Sequence, residues 1–100
     1  MAGKQKQPES SILSSLISFF GISGNESPVR NFIARQIRPD VDEVKVDRLG
    51  TLIARRKGRS PRVMLAAHMD EIGLLVKRIE QKGLIYCTAV GGIDPAAFIG

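Results

Sequence analysis

The feature that most constrains the fold of this chain is a run of five apolar residues at 63–67, Val-Met-Leu-Ala-Ala. Neighbouring side chains of a β-strand point to opposite faces, so an uninterrupted apolar run predicts a strand that is covered on both faces. Strands of this kind lie inside sheets that have helices packed against them. The run therefore predicts an α/β fold with residues 63–67 as an interior strand.

Two helices are predicted before this strand. Ser10 or Ser11 can act as the N-cap of the first, and Gly21 is expected to end it in the left-handed conformation. The second is expected to begin at Ser27 and Pro28, because serine is a favoured N-cap and proline is tolerated in the first turn. Each helix has one apolar face, which predicts that both pack against a core.

Two antiparallel hairpins are predicted from the alternation of apolar and polar residues and from the glycines between the alternating segments. The expected strands are residues 44–47, 51–54, 72–79 and 84–90. Gly50 lies in the tight turn of the first hairpin. Gly83 lies in the turn of the second, at the position that requires a positive φ.

The sequence also constrains the compartment. Two lysines before the first helix raise the alternative of a short signal peptide, but the apolar residues of this helix fall within an arc of about 160° and its serines lie opposite. The apolar segment of a signal peptide is apolar all round. Cys87 is the only cysteine, which excludes an internal disulfide, and we expect it to be buried or inert within a strand. These features predict a cytoplasmic protein that does not span a membrane.

The charge balance is basic, with 15 Lys and Arg against 10 Asp and Glu and a net charge of +5. A nucleic-acid-binding protein often has such a balance. Here the basic residues are spread along the chain, and no aromatic residue lies among them to stack on bases. This distribution favours an ordinary solvated surface, and we expect no nucleic-acid partner.

His68 and Asp70 are the residues that most suggest chemistry. They follow the interior strand directly, and the carboxyl ends of strands are where α/β sheets collect ligands and metals. Residues two apart in a strand share a face, so Asp70 can accept a hydrogen bond from one nitrogen of His68 and leave the other for a metal. Spacing alone also allows a structural histidine, because His-x-Asp is a common triplet.

Residues 66–77, Ala-Ala-His-Met-Asp-Glu-Ile-Gly-Leu-Leu-Val-Lys, closely resemble the first metal-site motif of the tetrahedral aminopeptidases. That family includes glutamyl-aminopeptidase-like proteins and some members named endoglucanases. Residues 16–26, with the pattern Gly-x-Ser-Gly-x-Glu, are similar to the first helix and loop of the family. Residues 47–52 are similar to its next strand pair, although the family usually has Asn at the place of Thr51, and residues 91–95 look like a later loop. The resemblance covers about residues 11–100.

The resemblance implies roles for two residues. His68 would be a ligand of one of two divalent metals, zinc or cobalt, in each complete subunit, and Asp70 would be the catalytic-site carboxylate that orients it. The family places its other ligands and its general base outside these 100 residues. Glu71 is therefore expected to be structural.

The resemblance also implies an organisation and a function. Residues 1–10 would be a flexible tail, and residues 11–70 the first part of a metallo-aminopeptidase catalytic domain with a mixed sheet and flanking helices. Residues 71–100 would begin an inserted, β-barrel-like dimerisation domain. The implied activity is metal-dependent removal of N-terminal residues from short peptides within a homo-oligomer, with this segment inactive alone. The alternative is a non-catalytic binding or assembly module derived from the same fold.

Overall fold

The structure is a computed structural model that describes residues 9–98. Within them the chain forms two α-helices and four β-strands: α1 Glu9–Leu16, α2 Ser27–Ile37, β1 Glu43–Val46, β2 Leu52–Arg55, β3 Gly73–Ile79 and β4 Ile85–Val90. Short 3-10 helices follow α2 at Arg38–Asp40 and β4 at Pro95–Phe98. The predicted tail lies, for residues 1–8, outside the described residues, and α1 already begins at Glu9. Neither α1 nor α2 has the length and apolar character needed to cross a membrane.

The first helix ends earlier than the sequence predicts. Its last residue is Leu16, and the hydroxyl of Ser18 donates to the carbonyl oxygen of Ser15 at 2.7 Å. Serine side chains that bond to nearby carbonyls compete with helical hydrogen bonds, which accounts for the early end. The predicted left-handed conformation of Gly21 is wrong, since the positive-φ glycines among residues 9–98 are Gly24, Gly50, Gly83 and Gly91.

Gly21 is required for a different reason, which is close packing. A Cβ added at Gly21 would lie 2.6 Å from Cγ2 of Val29. Val29 is on α2 and is only 6% exposed. The ring of Phe19, which follows α1, packs against the ring of Phe32 on α2 with centroids 5.2 Å apart. The small core of this chain therefore lies between the segment that follows α1 and the apolar face of α2.

The start of α2 differs from the prediction by one residue. Ser27 is the first helical residue, and the preceding Glu26 has helical φ and ψ with no side-chain cap. The predicted N-cap role of Ser27 is wrong because its hydroxyl oxygen instead accepts from Nη2 of Arg30 at 2.9 Å. Pro28 lies in the first turn, as predicted.

Both predicted hairpins are confirmed. Strands β1 and β2 pair antiparallel, and so do β3 and β4, with positive φ at Gly50 and Gly83 in the turns. In the first turn, Oδ1 of Asp47 accepts from the backbone N–H groups of Leu49 and Thr51 at 2.9 and 2.8 Å. The bond from Thr51 is the main cause that lowers the pKa of Asp47, against a smaller opposing effect of desolvation.

The predicted interior strand at residues 63–67 is wrong for the described part of the chain. This segment belongs to neither sheet, and its side chains are uncovered: Val63 is 82% exposed, Met64 88% and Leu65 93%. No strand within residues 9–98 pairs with it, so the predicted mixed sheet gives way to two separate antiparallel sheets. The radius of gyration is 18.3 Å, well above the roughly 13 Å of a compact domain of this length.

Cys87 is also more exposed than predicted. It lies in β4 opposite Val76, as the strand assignment requires, but its side chain is exposed. The reason is that the β3–β4 sheet has only two strands and no layer among the described residues covers it. In this sheet the guanidinium of Arg78 lies 4.4 Å from the ring centroid of Tyr86.

Candidate metal centre

His68 and Asp70 come together as the sequence predicts. They follow residues 63–67 and precede β3, and the side chain of His68 is 85% exposed. Nδ1 of His68 lies 2.9 Å from the backbone oxygen of Asp70 and 3.2 Å from its Oδ1. The Asp70 side chain is 38% exposed.

These distances determine which nitrogen of His68 is free. A backbone carbonyl oxygen can only accept a hydrogen bond, so Nδ1 must carry the proton that it donates to Asp70. In the neutral imidazole, Nε2 is then unprotonated and has a lone pair available for a metal. A histidine that donates through one nitrogen and coordinates through the other is the usual arrangement at protein metal sites.

Asp70 is held by a second partner that sequence reasoning missed. The hydroxyl of Ser23 donates a hydrogen bond to Oδ2 of Asp70, 47 residues along the chain. This bond is the largest cause that lowers the pKa of Asp70, and the hydrogen bond and charge of His68 lower it further, whereas desolvation raises it. Asp70 is therefore a stable carboxylate acceptor for His68.

The Ser23 loop is attached to the site through its backbone. The N–H of Glu71 donates to the oxygen of Gly21 at 2.8 Å, and the N–H of Gly21 donates to Oε1 of Glu71 at 3.1 Å. Ile22 and Glu71 form an isolated parallel bridge. Glu71 thus fastens the loop, in agreement with its expected structural role. The only sequence signal for this attachment was the Gly-x-Ser-Gly-x-Glu pattern, which does not indicate that the loop contacts Asp70 and Glu71.

The site opens onto a shallow cavity of about 190 Å³. Its lining residues are Glu26, Leu49, Gly50, Thr51, Ala67, His68, Met69 and Asp70. A larger cavity of about 430 Å³ lies along the basic segment 54–64. It is lined by neither His68 nor Asp70, so it is not part of the candidate metal centre.

The residues present fit part of a metal centre. Nε2 of His68 is a suitable donor, but no three His, Cys, Asp or Glu side chains come together within residues 9–98. Tight zinc binding ordinarily takes at least three protein ligands. The described residues therefore offer one candidate donor nitrogen with a carboxylate beside it, and a complete site needs further donors.

Residues 50–100 match the model of the M42 glutamyl aminopeptidase family. This chain belongs to that family. It is 39% identical to the lysyl aminopeptidase of Pyrococcus furiosus over 88% of its own length and 26% of the relative. It also superposes on an aminopeptidase from the archaeon Desulfurococcus kamchatkensis, with a TM-score of 0.80, 34% identity, and coverage of 86% of this chain and 24% of that one.

A further solved structure, PhTET1-12s, has a dodecamer in the asymmetric unit. Its TM-score is 0.75 at 39% identity, with 88% of this chain and 27% of that chain covered. The family resemblance of the sequence is thus confirmed, and so is an α/β fold with two helices and two antiparallel sheets. The chain spans about a quarter of the length of these relatives.

Proposed function

We propose that this chain forms the N-terminal part of a metal-dependent aminopeptidase subunit, in which Nε2 of His68 is one metal ligand. The observation that carries the proposal is the contact of Nδ1 with Asp70, which leaves the Nε2 lone pair of an exposed histidine that lines a cavity. Membership of the M42 family and the names of the relatives support the reaction class.

Asp70 would act on the metal through His68. Its carboxylate accepts from Nδ1, so it orients the ring and raises the basicity of Nε2. We propose zinc or cobalt as the metal, two ions in each complete subunit. When bound, such a pair would supply Lewis acidity for peptide hydrolysis, with His68 holding one of the ions.

The proposed domain organisation places residues 11–70 in the catalytic domain and residues 71–100 at the start of an inserted β domain for dimerisation. The separation of the β3–β4 sheet from the β1–β2 sheet supports a boundary near the site. The dodecamer of PhTET1-12s supports a homo-oligomer. Short peptides are the proposed substrates, and the cytoplasm is the proposed compartment.

A second function is a non-catalytic binding or assembly module. The exposed apolar segment 63–65 favours it, because a surface of this kind is normally covered by another polypeptide. In this alternative the chain would associate with a subunit of its own family, and the His68–Asp70 pair would have only a structural role.

One experiment separates the two functions. A full-length family subunit that carries residues 1–100 is purified and assayed for release of N-terminal residues from short peptides, before and after treatment with a chelator. The aminopeptidase proposal predicts activity that the chelator abolishes and that zinc or cobalt restores. Chelator-insensitive activity, or a folded subunit with no activity under any metal, would contradict it.

A further inference from the structure

We infer that Ser23 is a positioning residue of the metal site, whose hydroxyl fixes the Asp70 carboxylate so that Asp70 can hold His68. This inference rests on the proposed metal-binding function of His68. It assigns a role to the loop between α1 and α2.

The three side chains form a continuous chain of hydrogen bonds. Ser23 donates to Oδ2 of Asp70, and the Nδ1–H of His68 is shared between the backbone oxygen of Asp70 at 2.9 Å and Oδ1 of the same carboxylate at 3.2 Å. The terminal torsion of an aspartate is broad, so a carboxylate bound through one oxygen can rotate with little cost. With a partner on each oxygen, rotation breaks one of the bonds. Ser23 therefore restricts the orientation in which Oδ1 faces the imidazole.

The position of Ser23 is itself determined by the fold. On one side, Gly21 and Glu71 exchange two hydrogen bonds, which bring the loop alongside the residue that follows Asp70. On the other side, Gly21 packs against Val29 so closely that a Cβ would overlap it. Within the loop, the N–H of Asn25 donates to the oxygen of Ile22 at 2.8 Å. These contacts fix the backbone on both sides of Ser23 without the help of a metal.

This preorganisation explains why an exposed hydroxyl can be effective. Ser23 is exposed, and water competes for Asp70 whenever the loop is free to move. Because the backbone contacts fix the loop, the Ser23 bond forms at little entropic cost. A side chain that lacks the hydroxyl leaves water to solvate Oδ2, and the carboxylate then has a wider range of orientations.

The test uses threonine and valine at position 23, because they have nearly the same shape and differ in the hydroxyl. In the full-length family subunit that carries residues 1–100, metal affinity is measured for Ser23→Thr, Ser23→Val and His68→Ala by competition with a zinc chelator. Loss of an outer partner typically weakens metal binding by about 10–100-fold, and Ser23 acts one step further out. We expect Ser23→Val to weaken zinc binding by about 3–10-fold and Ser23→Thr to stay within about twofold of wild type.

Each outcome decides one claim. If His68→Ala loses metal but zinc affinity is the same in wild type, Ser23→Thr and Ser23→Val, the role of Ser23 is overturned and the proposed ligand stands. Unchanged zinc affinity of His68→Ala overturns the proposed ligand itself. Equal weakening by Thr and Val shows that bulk rather than the hydroxyl matters, which also overturns the inference. Ser23→Ala, which adds no bulk, must reproduce the loss seen with Val.

Discussion

Replacing Gly21 by Ala tests the packing that positions the site. The new Cβ would lie 2.6 Å from Cγ2 of Val29, and a β-branched side chain in a helix has one strongly preferred rotamer, so Val29 cannot turn away easily. Overpacking of this kind costs about 1–3 kcal/mol. The Ala also restricts the unfolded chain, which offsets part of the loss. Gly58→Ala is the control, because it restricts the unfolded chain in the same way but its Cβ would meet no heavy atom within 4 Å.

The difference between the two variants therefore isolates the steric cost. Amide hydrogen exchange of Glu71 in the full-length family subunit reports it, because this N–H donates to the oxygen of Gly21. A cost of 1–3 kcal/mol corresponds to protection lower by about 5–140-fold in Gly21→Ala than in Gly58→Ala. Equal protection in the two variants would refute the packing of the loop against α2.

Three further predictions concern the site, the first turn and the isolated chain. Asp70→Ala should lower metal affinity by about 10–100-fold, and Asp70→Asn by less, because the amide oxygen of Asn can still accept from His68. Competition with a chelator measures both affinities. Unchanged affinity in both variants would exclude a role of Asp70 in orienting His68. The pKa of Asp47 is lower in the folded protein than its usual value, so the ionised carboxylate stabilises the first hairpin when the pH is above that usual value. This stabilisation is lost as the pH falls through the folded pKa. The difference in free energy of unfolding between wild type and Asp47→Ala should therefore narrow below about pH 4 in acid titrations. The 100-residue chain alone should self-associate through its exposed segment 63–65 and show no peptidase activity. A monomer on size-exclusion chromatography with a sharp, reversible melt would contradict self-association. Metal-dependent release of N-terminal residues would contradict the lack of activity.

The features that sequence reasoning predicted well are local ones. The two hairpins are determined by alternation over a few residues and by glycines whose positive φ the turn requires, so Gly50 and Gly83 could be assigned without tertiary information. The His68–Asp70 contact is local too, because the two residues are only two positions apart in the sequence.

The features that sequence reasoning missed depend on distant parts of the chain. Ser23 and Asp70 are 47 residues apart, and only the folded loop brings them together. Gly21 looked like a helix end, but its small size serves contact with Val29. The apolar run 63–67 predicts burial on both faces, whereas burial requires strands and layers that the described residues do not supply.

The central claim is that His68 binds a catalytic metal, and metal content tests it most directly. Wild type, His68→Ala and the control Gln36→Ala, an exposed residue of α2, are purified as full-length family subunits, and metal per subunit is measured together with turnover of an amino-acid anilide. We expect His68→Ala to lose one metal per subunit and nearly all turnover, while the control keeps both. Full metal occupancy with near-normal turnover in His68→Ala would contradict the account.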